Sequence, residues 1–287
     1  MSVVTIARAT TPYDGAGVLR WLGARLVPGI EEISDGAYRR TLRLPGGPGV
    51  VALAPAGDHV RVRLRLADPT DRPVALAACR ALLDLDADPA AHNPALAADP
   101  ALAGRVAANP GLRAPGTVDP AETAVRAVLG QQVSLAAART LAGRLVAACG
   151  TPLPEPDGAL THVFPAPAAI AAESVVEALG MPGARQRTLR GLCAQLADGT
   201  LLLGDGDDAD RAGVRARLLA IPGIGPWTAD YIGLRALGDH DAFPAGDLGL
   251  RRGARALGLP SDARGLEAHA ERWRPWRRYA AHHLWAA

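Results

Sequence analysis

The stretch Leu219-Ala-Ile-Pro-Gly-Ile-Gly-Pro-Trp-Thr-Ala-Asp-Tyr231 predicts the end of one helix, a tight turn and the start of a second helix. Glycine permits positive φ at both turn positions, Gly223 and Gly225, and leaves no side chain in front of the backbone. Pro226 suits the first helical turn because its missing N–H is not needed there. The N–H groups around Gly223, Gly225 and Thr228 are therefore expected to face outward at a positive helix end, where they would form a phosphate site.

A carboxylate follows this hairpin in a Gly/Pro-rich segment, Phe243-Pro-Ala-Gly-Asp-Leu-Gly-Leu250. A phosphate site beside a single acid indicates chemistry on a nucleic acid, and Asp247 is the candidate catalytic residue. Asp230, Asp239 and Asp241 are nearby competitors. Asp230 lies on the hairpin helix and the other two flank a loop turn, so capping or solvated roles are expected for them.

Four further stretches extend the pattern along the chain: Pro12-Tyr13-Asp14, Ala124-Val-Arg-Ala-Val-Leu-Gly-Gln-Gln-Val-Ser134, Leu179-Gly-Met-Pro182 and Glu271-Arg-Trp-Arg-Pro-Trp-Arg-Arg-Tyr-Ala280. Together with the hairpin and the spaced aspartate, they resemble the helix-hairpin-helix DNA glycosylase superfamily, and within it the AlkA-type 3-methyladenine DNA glycosylases II. The hairpin alone is only moderately specific, since non-catalytic DNA-binding proteins also carry it. The combination with the aspartate and the predicted Leu-Gly-Gln-Gln-Val-Ser helix is a strong signal.

The N-terminal part of the chain predicts a sheet with helices. Val60–Leu66 alternates apolar and basic residues, which is typical of a half-buried strand. Runs at 38–44 and 50–53 are expected to pair with it, and helices are predicted at 14–27, capped by Asp14, and at 73–85. Strand arginines could touch DNA, but a solvated sheet face is the preferred interpretation. After Asp119-Pro-Ala-Glu122, which predicts a capping box, the pattern is helical almost to the end.

The expected fold class is α+β: an N-terminal antiparallel sheet domain with helices, then a two-lobed all-α helix-hairpin-helix core. The resemblance implies four segments, which are the sheet domain (1–90), a connector and first part of the C-terminal bundle (91–120), a middle helical domain with the hairpin (121–239), and the aspartate loop with the rest of the bundle (240–287). The cleft is expected between the two helical lobes.

The resemblance also implies the function, a monofunctional glycosylase that flips an alkylated base, of the 3-methyladenine or 7-methylguanine type, out of duplex DNA and hydrolyses its N-glycosidic bond. Asp247 would stabilise the sugar cation or orient the attacking water. An electron-deficient base is best recognised by aromatic faces. Trp227 and Tyr231 share a helix face through their i, i+4 spacing, and the resemblance places them in the base pocket with Trp285 and Trp21. Trp273 and Trp276 are expected to pack the last helices.

Two glutamines and a backbone site complete the expectations. The resemblance places Gln131 and Gln132 at the DNA, with Gln132 at the position of the wedge that fills the gap left by the flipped base; an apolar wedge is absent there. It further implies a monovalent cation, Na⁺ or K⁺, on the backbone carbonyls of Leu219, Ile221 and Ile224. No cofactor is expected to be required.

Several chemistries are excluded by composition. The chain has no lysine, so all 31 basic residues counted as Lys+Arg are arginine, and a lysine Schiff base on the sugar is impossible. The resemblance places Trp227 where bifunctional relatives carry that lysine. The chain has three cysteines, which are widely spaced: Cys79, Cys149 and Cys193. The iron–sulfur members of the superfamily that the chain resembles need four closely spaced cysteines near the C-terminus, so that group is excluded and reduced thiols are favoured.

The formal net charge of +2 does not by itself indicate nucleic-acid binding. Residues 251–287, however, hold eight arginines against three acids, and we expect a surface that follows the DNA backbone. No segment resembles a membrane span or a signal peptide. The expected partner is duplex DNA containing alkylated bases, bound by a monomer in the cytoplasm at the nucleoid.

Three alternatives stay open. A glycosylase of the same fold could remove another damaged or mispaired base, and the absence of lysine does not exclude it. A non-catalytic helix-hairpin-helix DNA-binding module is a second interpretation, and part of a larger repair polypeptide is a third.

The acidic cluster Asp205, Asp207, Asp208 and Asp210 lacks the glycine and glutamate of a calcium loop and is interpreted as a solvated loop that caps the helix at 211–220.

Overall fold

The computed structural model describes residues 2–172, 176–177, 179–204 and 210–287. The α+β class is confirmed: an antiparallel sheet comes first and helices follow. Three members of the acidic cluster, at 205, 207 and 208, lie outside the described residues. The fourth, Asp210, forms an ion pair with Arg217 at 2.6 Å and makes no side-chain capping bond to the helix that begins at Arg211.

The sheet has five antiparallel strands in the order β1-β5-β4-β3-β2. Their bounds are β1 Ser2–Arg8, β2 Glu31–Ser34, β3 Ala37–Leu44, β4 Gly47–Ala56 and β5 His59–Leu66. The alternation predicted for β5 is confirmed, since Val60, Val62 and Leu64 are buried and the arginines between them are not. The two outer strands, β1 and β2, were missed because each pairs along one side only.

Two helices cover the buried face of the sheet, α1 (Gly15–Gly23) and α2 (Arg72–Leu83). Asp14 caps α1 as predicted, its Oδ1 accepting from the N–H of Gly17 at 2.7 Å. The helix is shorter than the predicted 14–27.

Three thiols are free, and burial raises the pKa of Cys79 and Cys193 to about 12.

After α2, the described residues that form regular structure are helical apart from one β-hairpin. The helices are α3 Pro89–Ala97, α4 Pro100–Ala108, α5 Pro120–Leu129, α6 Leu135–Cys149, α7 Pro167–Ile170, α8 Gly183–Ala197, α9 Arg211–Ala220, α10 Pro226–Ala236, α11 Leu248–Ala256, α12 Ala263–Ala270 and α13 Arg277–Trp285. Asp119 caps α5 by accepting from the N–H groups of Ala121 and Glu122, but the Glu122 side chain bonds to arginines instead of completing the capping box. Among the described helices, no helix is long and apolar enough to cross a membrane.

A β-hairpin follows α6, in a segment for which the sequence predicted no strand. Its strands are β6 (Thr151–Asp157) and β7 (Leu160–Val163), and it packs against the sheet domain through Asp157, which accepts from Arg65 at 3.0 Å and from Arg39. The three prolines and the four-residue second strand hide its period-2 pattern, because proline removes ladder donors.

Two cores lie side by side in the helical part. One is built from α5, α6, α8, α9 and α10. The other brings α3 and α4 together with α11, α12 and α13, around the fully buried Trp273. We therefore keep the grouping of 91–120 with 240–287 as a proposed domain.

A buried ion network joins the sheet to α5. Arg40 on β3 bonds to Glu31 at 3.2 Å and to Glu122 at 2.6 Å, while Arg126 bonds to the same two carboxylates at 3.1 and 2.9 Å. Burial alone would raise the pKa of Glu31, but Arg126, Arg40 and the Tyr38 hydroxyl outweigh it, so this pKa is lowered. Each charge has a partner, as burial requires. The network fixes the sheet domain against the helix that leads to the two glutamines.

Candidate active site

A cleft of about 830 Å³ opens between α1 of the sheet domain, the α5–α6 junction and the C-terminal helices. All four aromatic residues predicted for a base pocket line it, and so does the predicted catalytic aspartate. Its wall also carries buried arginines and a histidine. The residues on which the site depends are Trp21, Arg25, Trp227, Tyr231, Asp247, His282 and Trp285.

Asp247 is held in the cleft wall by three donors. It is the N-cap of α11, where its Oδ1 accepts from the N–H of Leu250 at 2.9 Å. The indole N–H of Trp285 donates to the same oxygen at 2.9 Å, and that of Trp227 donates to Oδ2 at 3.0 Å. The half-buried carboxylate is therefore fixed in direction, and two pocket rings are fixed by it.

The three competing acids are engaged away from the cleft. Asp230 pairs with Arg215 at 2.6 Å. Asp239 accepts from the N–H of Asp241, and Asp241 pairs with Arg277 at 2.8 Å. None of the three lines the cleft among the residues described. Asp239 makes a capping bond of the expected kind, whereas Asp230 and Asp241 form ion pairs instead of the capping or solvated roles expected for them.

Gly249 makes the contact between Trp285 and Asp247 possible, a role that sequence reasoning missed. A Cβ added there would lie 2.9 Å from Asp247 Oδ1 and 3.0 Å from Trp285 Cδ1. Such distances would force the indole away from the carboxylate. The signal was present in the sequence, as a glycine two residues after the acid.

The aromatic rings form a continuous group. Trp227 stacks on Tyr231 with centroids 5.5 Å apart and planes at 22°. Trp285 meets Tyr231 edge-on at 6.4 Å and lies 5.1 Å from Trp21. Trp273, by contrast, is fully buried in the C-terminal core, and Trp276 packs against that core, as predicted.

Two arginines accompany these rings and were not predicted. The guanidinium of Arg25 lies 3.2 Å from the Trp21 ring centroid, and Arg235 donates to the Tyr231 hydroxyl at 3.3 Å. Each stands four residues after its aromatic partner, so helical spacing could have revealed them. Burial lowers the pKa of Arg25 to about 10, with Tyr231 opposing. Burial would raise the pKa of Tyr231, but Arg235 and Arg25 lower it overall.

Helices α9 and α10 and the loop between them form the predicted helix-hairpin-helix motif. The predicted backbone conformation of one of its two glycines needs a correction. Gly223 has φ +90°, and an added Cβ would lie 2.0 Å from the Thr188 Oγ1, so glycine is required there. Gly225 has φ −96° and ψ 178°, which any residue adopts, and an added Cβ would meet no atom within 4 Å. The expected positive φ at Gly225 is therefore wrong.

The glutamine pair lies at a helix end rather than on a continuous helix. Helix α5 ends at Leu129, and α6 begins at Leu135. Gln131 donates to the carbonyl of Gly223 at 3.0 Å and to the buried Thr228 hydroxyl at 2.9 Å, so in this structure it holds the hairpin loop. Gln132 is exposed, with φ +53°, a conformation that non-glycine residues seldom adopt.

The loop carbonyls predicted to hold a cation belong to a tight turn. The Ile221 carbonyl accepts from the N–H of Ile224 at 3.0 Å, which leaves it one further lone pair. The neighbouring carbonyl of Pro222 accepts from Thr188 at 2.8 Å. The carbonyls of Leu219, Ile221 and Ile224 thus belong to the end of α9 and the loop that follows it. The backbone of this loop accepts hydrogen bonds from the side chains of Thr188 and Gln131.

Fewer of the C-terminal arginines are free to contact DNA than their number in the sequence indicates. Arg277 and Arg278 are buried; the first pairs with Asp241 and the second donates to the carbonyl of Gly238. Arg251 donates to the carbonyl of Ser261 at 2.7 Å. Arg252, which is exposed, lines the cleft. The expected DNA-facing surface is therefore narrower than the whole 251–287 segment.

A sheet domain, a helical hairpin and a capped aspartate in an aromatic cleft define the helix-hairpin-helix glycosylase fold. Family models match over most of the chain: the AlkA N-terminal domain over residues 7–119, and the HhH-GPD superfamily of base excision DNA repair proteins over 125–278. The chain belongs to the HhH-GPD superfamily.

Two curated relatives extend the match. The "Probable bifunctional transcriptional activator/DNA repair enzyme AlkA" of Mycobacterium tuberculosis is 58% identical over 274 residues, which are 96% of this chain and 55% of the relative. The chain thus spans about half the length of that relative. "DNA-3-methyladenine glycosylase 2" of Escherichia coli is 37% identical over 279 residues, covering 96% of this chain and 94% of the relative.

Solved structures show the same fold. A 3-methyladenine DNA-glycosylase from Archaeoglobus fulgidus superposes with a TM-score of 0.85 at 21% identity, over 98% of this chain and 97% of that one. An 8-oxoguanine glycosylase/lyase from Clostridium acetobutylicum, in complex with double-stranded DNA, has a TM-score of 0.77 at 18% identity, over 99% and 96%.

Proposed function

We propose that this chain is a monofunctional DNA glycosylase that removes alkylated bases from duplex DNA by base flipping. The observation that carries this function is the Asp247 carboxylate, fixed by two indole N–H groups in a cleft whose rings stack on one another. Names of relatives at 58% and 37% identity support it.

The chemistry follows from the charge of the leaving group. A base such as 3-methyladenine carries a positive charge when attached to the sugar, so the enzyme need not protonate it. The sugar becomes oxocarbenium-like as the bond breaks. Asp247, held by three donors, stands ready to stabilise that cation without reorganisation, which is where preorganised groups contribute most. Trp227 and Tyr231 offer their faces to the electron-poor base, at about 1–2 kcal/mol each when desolvated.

DNA binding is assigned to the hairpin and the exposed turn beside it. The loop before α10 presents backbone at a helix N-terminus, where a phosphate is favoured. Gln132 stands at the α5–α6 turn and would enter the gap left by the flipped base. We propose that the chain acts on the duplex as a monomer and works at the nucleoid.

We also propose a Na⁺ or K⁺ ion on the carbonyls of Leu219, Ile221 and Ile224, where it would stiffen the hairpin before a phosphate arrives. Its test is the melting temperature of the free protein and its affinity for duplex DNA in K⁺, Na⁺ and a large organic cation. Equal values in all three would contradict the ion.

The experiment that tests the function is free-base release from methylated duplex DNA, with the bases identified chromatographically. We expect 3-methyladenine and 7-methylguanine in the soluble fraction. A panel of duplexes, each with one other damaged or mispaired base, tests the rival specificity. Binding to DNA without release of any base would instead identify a non-catalytic DNA-binding module.

A further inference from the structure

Eight arginines of the described part of the chain line the cleft, and seven of them have a partner for the guanidinium group. Three of the seven lie against carboxylates, and four donate to backbone carbonyls at 2.8–3.1 Å. The carboxylate pairs are Arg20 with Asp14 and Arg40 and Arg126 with Glu31 and Glu122; the carbonyl pairs are Arg25 with Trp21, Arg113 with Gly111, Arg139 with Leu26 and Arg235 with Gly116.

The eighth, Arg252, has no hydrogen bond, ion pair or ring contact to any residue that the structure describes. It lies on α11 and is exposed. An exposed guanidinium is hydrated in the free protein, so it does not need a partner there. It is always charged, and its planar fork of donors matches the oxygens of a phosphate. Arg252 is therefore the cleft arginine that is available to an incoming phosphate.

Helix α11 presents Arg252 on the same side as the candidate catalytic carboxylate. The face formed by Leu250 and Ala254 is buried in the C-terminal core, whereas Asp247 and Arg252 both line the cleft. At a rise of 1.5 Å per residue, their Cα atoms are about 7.5 Å apart along the helix axis. One nucleotide can thus contact both residues, with its sugar at Asp247 and a flanking phosphate at Arg252.

Leu248 lies between these two residues in the sequence and also lines the cleft, although it is 75% exposed. It precedes Arg252 by four residues, so the two side chains are neighbours on one face of the helix. An apolar side chain followed by a cation fits the two parts of a nucleotide backbone, the C–H groups of the sugar and the charged phosphate. The pair therefore favours a DNA strand over an isolated inorganic anion.

The charge of Arg252 also affects the proposed reaction. The sugar gains positive charge as the N-glycosidic bond breaks, and like charges repel. An unpaired guanidinium close to Asp247 would oppose the stabilisation that the carboxylate supplies. A phosphate bound to Arg252 removes this repulsion, so binding of the strand and the chemistry favour the same contact.

We propose that Arg252 binds a phosphate that flanks the flipped nucleotide, and that this contact, with Leu248 against the sugar, sets the sugar in place at Asp247. The inference rests on the proposed glycosylase function and adds a substrate-binding residue to it. The hairpin and Arg252 then hold the same DNA through separate phosphates, and the second of these lies next to the reacting sugar.

The test uses a duplex with a tetrahydrofuran abasic analogue, which has no base to release. We expect Arg252→Gln to weaken binding about tenfold, equivalent to about 1.4 kcal/mol, and to reduce the slope of log affinity against log salt by about 0.9. An uncharged methylphosphonate at the 5′ or the 3′ phosphate of the analogue should, at one of these positions, weaken wild-type binding by a similar factor. The two changes together should weaken binding no more than either alone, because they remove the same contact.

Two further variants separate a specific contact from a general loss of charge. Arg255 is exposed on the same helix, donates to the Ser261 hydroxyl at 3.4 Å and does not line the cleft. Arg255→Gln removes the same charge and should leave affinity within about twofold of wild type. Arg252→Lys keeps the charge and should stay within about threefold. Melting curves check that each variant is folded.

The rate of base release tests the position of the sugar. In single-turnover reactions with saturating protein, Arg252→Gln should release 7-methylguanine from methylated duplex about tenfold more slowly, because the sugar is less well placed. Absence of coupling at both flanking phosphates overturns the inference, as does an equal loss of affinity in Arg255→Gln. A wild-type protein that releases no alkylated base refutes the proposed function, whereas the binding measurements still decide whether Arg252 contacts the phosphate.

Discussion

Asp247 serves the fold and the site with one carboxylate. As the N-cap of α11 it accepts a backbone N–H, and as a cleft residue it accepts two indole N–H groups. Its charge and its capping role can be separated by substitution, because asparagine also caps helices well.

Asp247→Asn should therefore keep the fold and DNA binding while base release falls by about 10²–10³-fold, a typical effect of removing one electrostatic group. The amide NH₂ will also face an indole N–H, which is a donor against a donor. Asp247→Ala should lose about 1 kcal/mol of stability as well, since the cap is gone. Release rates, melting curves and DNA titrations check this. Near-wild-type release by the asparagine variant would remove Asp247 from the chemistry.

Among single residues, the sequence identified those whose side-chain type alone indicates a role in the chemistry. It missed those whose role depends on where the fold places them. Asp247 and the four pocket aromatics were named and lie together. Arg25 and Arg235 were not named, although each stands four residues after its aromatic partner, because this spacing alone does not show that the guanidinium group contacts the ring or its hydroxyl. Gly249 was missed because a glycine reveals its purpose only through the atoms that its missing side chain leaves close.

The hairpin shows at the scale of elements why two glycines in one loop differ. Gly223 is held at φ +90° against Thr188, whereas Gly225 has an ordinary extended conformation and open space around it. The first is required by the fold. The second leaves the backbone open where a phosphate would approach.

We expect Gly223→Ala to destabilise the protein by at least about 1 kcal/mol, because the new Cβ combines positive φ with a steric clash. Gly225→Val should leave the melting temperature unchanged and weaken binding to lesion-bearing and undamaged duplexes by similar factors, since backbone phosphate contacts carry no sequence information. Melting curves and DNA titrations of both variants check this. An effect of Gly225→Val on only one duplex would show that Gly225 takes part in base recognition.

Local sequence signals predicted the helices that begin with an N-cap and the strand in which apolar and polar residues alternate. The other elements depend on pairing with distant parts of the chain. Asp14 and Asp119 mark α1 and α5, and β5 alternates in the sequence as it does in the sheet. Strands β1 and β2 sit at the two edges and depend on their neighbours for register. The β6–β7 hairpin is proline-rich and is held by arginines of the sheet domain, which no local pattern reveals.

Buried neutral histidines make the stability of the whole molecule depend on pH. Burial lowers the pKa of His92 and His283 to about 4 and holds that of His282 well below its usual value. The unfolded chain takes up these protons near pH 6.5. Their contribution to stability is therefore complete above pH 6.5 and is lost as the pH falls toward 4.

Urea unfolding at pH 7.5, 6.0 and 5.0 should show the free energy of unfolding decreasing with acid, by up to about 1.4 kcal/mol per pH unit for each histidine. His283→Leu should make this dependence shallower. Stability that is constant from pH 7.5 to 5.0 would mean that these rings are protonated, or reach solvent, in the folded protein.

The absence of side-chain amines predicts the product of the reaction. Excision should leave an intact strand with an abasic site, which breaks only after alkali or a separate lyase. Borohydride should trap no covalent adduct between protein and DNA, because Trp227 stands where the resemblance places a lysine. A robust trapped adduct would show that another amine reaches the sugar.

The gathering of indoles in the cleft has an optical consequence. Of the five tryptophans, Trp21, Trp227 and Trp285 line the cleft, and the other two belong to the C-terminal core. Three of the five indoles therefore lie where a purine bound in the cleft would be close to them. Stacking of a purine on these rings would quench their ultraviolet emission, so the unlabelled protein reports the arrival and departure of a base in real time.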